Sequence, residues 1–340
     1  MPYWTRSWGT RSVAAVLGID TSAYTTSLAL VDESGQVLED ARSVLEVKPG
    51  ARGMRQSEAL FAHTRNLPAL FAGLQESLRS HHLVAVAVST RPRNTTGSYM
   101  PVFLAGECVG RSLASVTGVP LFTCSHQEGH VMAGAWGCPG LPDRYLAVHF
   151  SGGTSEVLLV EPGREHFYDI TVVAATSDLH AGQLVDRVGV RMGLPFPSGP
   201  ALEALARAAG DAPDREVYLP AAVQGASFSF SGAETRARQL LEAGARREAV
   251  AMAVLRCIAN TLERVLREQR SVHGVDDVLL VGGVMANAWI RERLQRVWAG
   301  PQGVRLHSAS PRLSTDNAVG VAWLGLSRWR QHIAERGMKP

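Results

Sequence analysis

Val13-Ala14-Ala15-Val16-Leu17-Gly18-Ile19-Asp20-Thr21-Ser22, followed by Thr25-Thr26-Ser27-Leu28-Ala29-Leu30-Val31, reads as a strand, a short polar turn and a second strand, with Glu33-Ser34-Gly35 as the next turn. The plan recurs in the second half of the chain. Tyr145-Leu146-Ala147-Val148-His149-Phe150 leads into Ser151-Gly152-Gly153-Thr154-Ser155, then Val157-Leu158-Leu159-Val160 and the turn Pro162-Gly163. The turn-rich stretch Cys138-Pro139-Gly140-Leu141-Pro142 separates the two. Further strands are expected at 84–88 and 278–281, and apolar spacing predicts helices over 55–75, 200–209 and 246–270. Strands alternating with helices indicate α/β layers. Two matching hairpins, one per half, indicate a duplicated domain: two lobes with a central cleft. The expected boundaries are 13–142 for the first lobe, 143–311 for the second with a helical insertion, and 312–336 for a C-terminal helix.

Composition narrows the class. A chain of 340 residues can bury two real cores, and its 46% hydrophobic and 19% charged residues are those of an ordinary globular protein. No apolar run is long enough to span a bilayer, so no membrane partner is expected. The four cysteines, Cys108, Cys124, Cys138 and Cys257, lack paired spacing, which points away from disulfides or a zinc cluster and toward a reducing cytoplasm. A formal charge of +3 is compatible with nucleic acid but does not argue for it.

His126-Gln127-Glu128-Gly129-His130 carries chemistry. On a helix, residues four apart lie about 40° apart, so both imidazoles can face one ion. Ser125 and Glu128 fit a capping box that starts such a helix. A metalloprotease orders the motif His-Glu-x-x-His. Here the glutamate is displaced to Glu128, about 200° round the helix from His126 and facing away. The pair therefore reads as metal ligands outside protease chemistry, or as solvated or packed histidines.

Turns of Gly, Ser and Thr can present backbone N–H groups and hydroxyls to phosphate oxygens. Asp20-Thr21-Ser22 and Ser151-Gly152-Gly153-Thr154-Ser155 fit such turns. Gly282-Gly283-Val284-Met285-Ala286-Asn287, between a buried strand and a helix, fits a loop approached closely by a base or ribose. Each taken singly is equally a simple turn. Together and in this order they resemble the ATPase fold of actin, sugar kinases and Hsp70.

A narrower resemblance covers about residues 16–327. Gly18-Ile19-Asp20-Thr21-Ser22, His126-x-Glu128-x-His130, Ser151-Gly152-Gly153, Ala181-Gly182-x-x-x-Asp186-Arg187, Gly193-Leu194-x-x-Pro197-x-Gly199-Pro200, Phe228-Ser229-Phe230-Ser231-Gly232, Gly282-Gly283-Val284-x-Ala286-Asn287 and Thr315-Asp316-Asn317 occur in sequence. With these motifs the chain resembles the TsaD-type threonylcarbamoyl-transferases of tRNA threonylcarbamoyladenosine synthesis, and most resembles a divergent paralogue. The resemblance implies His126, His130 and Asp316 as ligands of a divalent metal lying between the lobes. It implies contacts to ATP or threonylcarbamoyl-adenylate from Ser151, Gly152, Gly153, Thr154, Asp186, Gly199, Gly283 and Asn287. Two imidazoles and a carboxylate suit zinc, iron or manganese, with magnesium accompanying the nucleotide. The implied reaction is transfer of the threonylcarbamoyl group to tRNA adenosine, and the implied partners are tRNA and either other proteins of a transfer complex or a second copy of the chain. No residue is assigned a catalytic proton transfer.

Taken alone, Asp316 could instead cap a helix over 317–326, Asp186 could be a surface charge, and Phe228-Ser229-Phe230 could be an alternating core strand. The chain also departs from the family pattern. Ala23-Tyr24-Thr25 replaces Cys-Asp-Glu, and Ser89-Thr90-Arg91-Pro92-Arg93-Asn94 replaces Thr-x-Gly-Pro-Gly. Thr154 replaces a histidine, Gln183 a glutamate, and Ser231-Gly232-Ala233-Glu234-Thr235 reverses a charge. These changes keep two alternatives open: the same chemistry on a small-molecule acceptor, or a non-catalytic nucleotide-binding partner. Arg52, Arg55, Arg65, Arg91 and Arg93 are the candidate tRNA phosphate contacts.

Overall fold

The computed structural model describes residues 13–22, 24–46, 54–163, 167–210, 216–298, 303–308, 311–313 and 315–337. The chain divides into two compact units. One runs to Trp136 and resumes at Asp316; the other is Gly137–Thr315. Arg52 lies outside the described residues.

The first unit is built on β1 (Ala14–Asp20), β2 (Thr25–Asp32), β3 (Val37–Val44), α1 (Gln56–Gly73), α2 (Gln75–Ser80), β4 (His82–Arg91), α3 (Phe103–Thr117), β5 (Leu121–Ser125) and α4 (His126–Trp136). Its sheet has the order β3-β2-β1-β4-β5. The first three strands are antiparallel, with Ile19 opposite Leu28, whereas β4 and β5 run parallel to β1. The near-continuous apolar runs of β1 and β4 suit strands covered on both faces. Ala15, Leu17 and Ile19 face one core with Val86 and Val88.

The second unit contains β6 (Tyr145–Phe150), β7 (Ser155–Pro162), β8 (Tyr168–Thr176), α5 (Ala181–Arg191), α6 (Gly199–Ala208), β9 (Ala222–Gln224), β10 (Ser227–Ser229), α7 (Ser231–Glu242), α8 (Arg247–His273), β11 (Asp277–Val281), α9 (Ala288–Trp298) and β12 (Arg305–Ser308). Its sheet order is β12-β11-β6-β7-β8-β10-β9. Five of those strands, β8-β7-β6-β11-β12, repeat the first sheet: an antiparallel meander β6–β8, then β11 parallel to β6 and β12 parallel to β11. The core beneath is larger, because α8 buries a long apolar face from Ala249 to Leu266. Phe228 and Phe230 are core residues, packed against Phe150 with ring centroids 5.6 and 6.3 Å away. The alternating-strand reading of that motif therefore describes its side chains.

The last helix, α10 (Val319–Glu335), belongs to the first unit and lies across β1, β2 and β4. Small residues allow this. A methyl group on Gly18 of β1 would meet the Ala318 carbonyl oxygen at 2.5 Å and the Ala322 nitrogen at 2.6 Å. Trp323 of α10 stacks on Trp136 at 5.0 Å between centroids and donates its indole N–H to the Gly35 carbonyl at 2.9 Å.

This packing predicts a contrast between two glycines. Gly18→Ala forces a methyl into helix backbone and should cost ~1–3 kcal/mol, as overpacking does. Gly110→Ala, on α3, places its Cβ at an ordinary 3.4 Å from Val88. It should be neutral or stabilising by up to ~1 kcal/mol through helix propensity. Urea denaturation of both variants checks this; equal midpoints would contradict the close approach of α10.

Candidate metal centre and nucleotide site

α4 follows β5 without a linker. Its first turn is closed by the capping box: the Ser125 amide and hydroxyl donate to Glu128 Oε2 at 2.7 and 2.9 Å, and the Glu128 amide donates to Ser125 Oγ at 3.2 Å. Glu128 is fully buried in this role. His126 and His130 lie one turn apart on α4, with ring centroids 4.4 Å apart.

Gly129, between them, meets Gly320 of α10. A methyl on Gly320 would run into the Gly129 carbonyl, and one on Gly129 would sit 3.0 Å from Val321 Cγ2. The N-terminus of α10 is thus pressed onto α4, bringing up Asp316 three residues before the helix. Its Oδ1 lies 3.2 Å from His130 Nε2 and 3.6 Å from His126 Nε2. The helix cap is Asn317, whose Oδ1 accepts from the Val319 and Gly320 amides at 3.0 and 3.3 Å. The capping reading of Asp316 is thereby corrected by one residue. Arg42 of β3 bonds Asp40 through Nε and Nη2 at 2.8 and 2.7 Å and donates from Nη1 to the Asp316 carbonyl at 3.3 Å.

Ligand atoms of His126, His130 and Asp316 all lie within 4.8 Å of one another, the one such group of three among the described residues. Two imidazole nitrogens and a carboxylate oxygen at that spacing fit a first-row divalent metal. All three belong to the first unit, so the donor set needs no residue of the second.

Asp20 touches this group, a role the sequence did not reveal. The turn Asp20-Thr21-Ser22 looks suited to phosphate, but its side chains point inward. Thr21 Oγ1 donates to the Val102 carbonyl at 3.0 Å and accepts from the Gly106 amide at 3.1 Å. Asp20 is fully buried and accepts from Ser22 Oγ at 2.6 Å, from Ser89 Oγ, and from His126 Nδ1 at 3.2 Å. Burial would raise the Asp20 pKa, but the His126 charge and these hydrogen bonds outweigh it and lower it. Burial likewise works against a protonated His126. The charge and hydrogen bond of Asp20, then the charge of Asp316, overcome it and push its pKa up to about 9.

In the second unit, the turn after β6 is closed on itself. The Ser151 amide donates to the Thr154 carbonyl at 2.7 Å, and Ser151 Oγ accepts from the Gly153 and Thr154 amides at 3.3 and 3.1 Å. Gly152 and Gly153 are exposed, with nothing within 4 Å of an added methyl. The start of α5 abuts the turn: the Gly182 amide donates to the Ser151 carbonyl at 3.1 Å, and the Ala181 amide to Ser155 Oγ at 2.8 Å. One turn along α5, half-buried Asp186 accepts from the Ser198 amide at 2.7 Å, beside Gly199. Burial raises the Asp186 pKa, with that bond opposing. The 3-10 turn Gly283–Ala286 packs on β6 and α5. Gly282 has φ +94° and lies on the Phe150 backbone, whereas Gly283 faces open space. Asn287 Oδ1 accepts from the Ile290 amide at 2.9 Å and so starts α9, and Glu203 of α6 also caps α9 through the Trp289 amide at 3.0 Å. Ser151, Gly152, Gly153, Thr154, Asp186, Gly199, Gly283 and Asn287 thus gather along the edge where β6 and β11 end.

In the altered loop, Arg91 is spent internally: Nε and Nη2 donate to Asn94 Oδ1 at 3.0 and 2.7 Å, and Nη1 to Thr90 Oγ1 at 3.1 Å. The Pro92 carbonyl accepts from the Gln127 amide at 3.1 Å, so this loop is braced against the first turn of α4. Arg65 lies over the Phe61 ring, 5.9 Å from its centroid.

Comparison with known proteins places these sites in context. The family model described as TsaD, tRNA N6-adenosine threonylcarbamoyltransferase, matches residues 39–323. A tRNA N6-adenosine threonylcarbamoyltransferase of Thermus thermophilus is 32% identical over 329 residues, covering 96% of this chain and 94% of the relative. One of Archaeoglobus fulgidus is 29% identical over 314 residues, covering 92% and 91%. Among solved structures, a ROK family glucokinase from Streptomyces griseus, in complex with glucose and AMPPNP, superposes with a TM-score of 0.51 at 15% identity, covering 92% of this chain and 99% of that one. The duplicated sheet is therefore the sugar-kinase type of α/β fold.

A metal held by His126, His130 and Asp316 predicts that purified protein carries about one transition metal per chain, as a single three-ligand site requires. His126→Ala and Asp316→Ala should each remove most of it by elemental analysis; full retention in both would refute the donor set. The pH dependence has a defined sign. Without metal, His126 holds a proton up to about pH 9, so its contribution to stability is present below 6.5 and lost as pH rises through about 9. A metal must expel that proton, so affinity should rise about tenfold per pH unit between 7 and 8.5. Competition with a chelator across that range measures the slope; a flat profile would contradict a protonated His126.

Proposed function

The chain belongs to the tRNA N6-adenosine threonylcarbamoyltransferase family, and from that premise we propose that it transfers a threonylcarbamoyl group from its adenylate to the N6 amine of a tRNA adenosine, releasing AMP. The observation that carries this reading is the convergence of His126, His130 and Asp316 within 4.8 Å in a chain of this family. A metal held by these three residues would supply a Lewis acid.

The remaining work falls to the chain's own groups. His126 and His130 must present neutral Nε2 lone pairs, and Asp316 its ionised Oδ1. The Arg42–Asp40 pair fixes the main chain of Asp316. In the second unit, exposed Gly152, Gly153 and Gly283 leave room for adenylate phosphate to approach the backbone, and the N-terminus of α5 beside them favours negative charge. Asp186 and Asn287 supply acceptors and donors for the ribose and base. Ser151 Oγ, now bonded to two amides of its own turn, would release them to phosphate by rotating about χ1. The adenylate and metal are thus assigned to separate units. tRNA is the proposed macromolecular partner, with further proteins of a transfer complex or a second copy of the chain alongside it.

Transfer of a labelled threonylcarbamoyl group from supplied adenylate to unmodified tRNA tests the proposal. Product with the wild type, lost in His130→Ala, is expected. No transfer by metal-replete protein, with candidate partner proteins added, would redirect the assignment to a small-molecule acceptor. Binding of tRNA should weaken about tenfold or more between 50 and 200 mM salt if several phosphates are held.

The nucleotide half has its own test. Gly153→Val has open space for its side chain and should leave the melting temperature unchanged. By filling the phosphate approach it should lower adenylate affinity at least about tenfold, since displaced charge-assisted hydrogen bonds cost that much. Unchanged affinity by calorimetry would mean that the glycines serve the turn alone.

A further inference from the structure

We propose that Asp20 is a positioning residue of the metal centre, fixing His126 so that its Nε2 lone pair faces the other two ligands. The proposal rests on the reading of His126, His130 and Asp316 as the donor set and extends it by one shell.

The geometry supplies each step. Imidazole has two nitrogens, and which of them is free to ligate depends on what the other bonds. Asp20 sits 3.2 Å from Nδ1 of His126, while Nε2 of the same ring faces Asp316 Oδ1 at 3.6 Å. A carboxylate at Nδ1 demands a proton there, which selects the tautomer with a bare Nε2. It also resists a half-turn of the ring about χ2, which would exchange a nitrogen for a carbon at the ligand position.

The carboxylate is itself held. Ser22 Oγ donates to its Oδ2 and Ser89 Oγ to its Oδ1, so both oxygens are committed and the group does not rotate freely. Its backbone ends β1, whose neighbour β4 supplies Ser89, and β5 leads directly into His126. Three adjacent parallel strands thus deliver the carboxylate, its hydroxyl brace and the ligand to one edge. Asp20 and Ser89 are fully buried, whereas the His126 side chain is 20% exposed. The ring is accessible to a metal on one side and anchored to the sheet on the other. A carboxylate behind a metal-bound histidine also raises its strength as a ligand, and removal of such groups typically costs 10–100-fold in metal affinity.

The test uses the full chain above pH 9, where no proton on His126 competes with the metal, with Zn²⁺ affinity measured by chelator competition and the visible spectrum of the Co²⁺-loaded protein recorded in parallel. Asp20→Ala should bind Zn²⁺ about 10–100-fold more weakly, with an altered Co²⁺ ligand-field spectrum. Asp20→Asn retains the shape and a neutral acceptor, since Ser22 can turn its hydroxyl to accept from the amide. It should lose less, roughly threefold to tenfold, because a charged acceptor bonds about twice as strongly as a neutral one. If Asp20→Ala does not fold, Asp20→Asn decides the matter alone. Wild-type Zn²⁺ affinity and Co²⁺ spectrum in a folded Asp20 variant, with only its melting temperature lowered, would reduce Asp20 to a structural residue and overturn the proposal. His130→Ala is the reference. Loss of binding there with no effect at Asp20 rejects the positioning role but keeps the ligand set; retained binding there rejects both.

Discussion

The backbone contact between Gly129 and Gly320 fixes the candidate metal centre. Two helices ordinarily pack with their axes 8–10 Å apart, held off by side chains. Here each helix carries a glycine at the crossing, so the Gly129 main chain meets Gly320 directly, with the Val321 side chain packed beside Gly129. The same economy of side chains continues along α10, where Gly325 lies over Ala87 and Val16, and Ala318 and Ala322 lie over Gly18. The helix is thereby seated on the sheet that also carries β5 and the start of α4. His126, His130 and Asp316, mounted on such rigid elements, keep their spacing without a bound ion, as a preorganised site requires.

The sheet adds a second constraint. β1, β4 and β5 are parallel, so their carboxyl ends share one edge, the edge at which ligands gather in open α/β sheets. Asp20, Ser89 and Ser125 end or nearly end those strands, and His126 follows at once. The second unit repeats the arrangement with β6 and β11, which end at the Ser151 turn and at Gly282. Duplication therefore supplies two equivalent edges. The residues that fill them differ in kind: buried carboxylate, hydroxyls and imidazoles on one, exposed glycines and helix starts on the other. That difference suits a metal in the first case and a phosphate in the second.

Local pattern revealed much of this. The paired hairpins announced the duplication, because alternating or continuous apolar runs bounded by Gly and Ser report directly on strand burial. The spacing of His126 and His130 gave a shared helix face, and Ser125 with Glu128 gave its start. Sequence order was silent on contacts between distant strands. Asp20 and His126 are separated by 106 positions, and no local signal joins them; only the parallel order of β1, β4 and β5 would have placed them together. For the same reason the helix after Asp316 could be found but not assigned to the first unit. Residues of one chemistry were also confused at short range. Asn317 rather than Asp316 caps α10, because propensity does not distinguish neighbours whose side chains point in different directions. The hydroxyls of Thr21 and Ser151 looked available for phosphate because a sequence does not say when a side chain is already bonded, Thr21 to Val102 and Gly106 and Ser151 to its own turn.

The central claim is that His126, His130 and Asp316 hold one metal within the first unit. Anomalous diffraction, recorded on either side of the absorption edge of the bound metal in crystals of the full chain, tests it most directly. The account predicts a single strong peak within about 2.0–2.2 Å of both Nε2 atoms and of Asp316 Oδ1, with His126 Nδ1 still on Asp20. A peak at other residues, or a metal bound through His126 Nδ1, would contradict it.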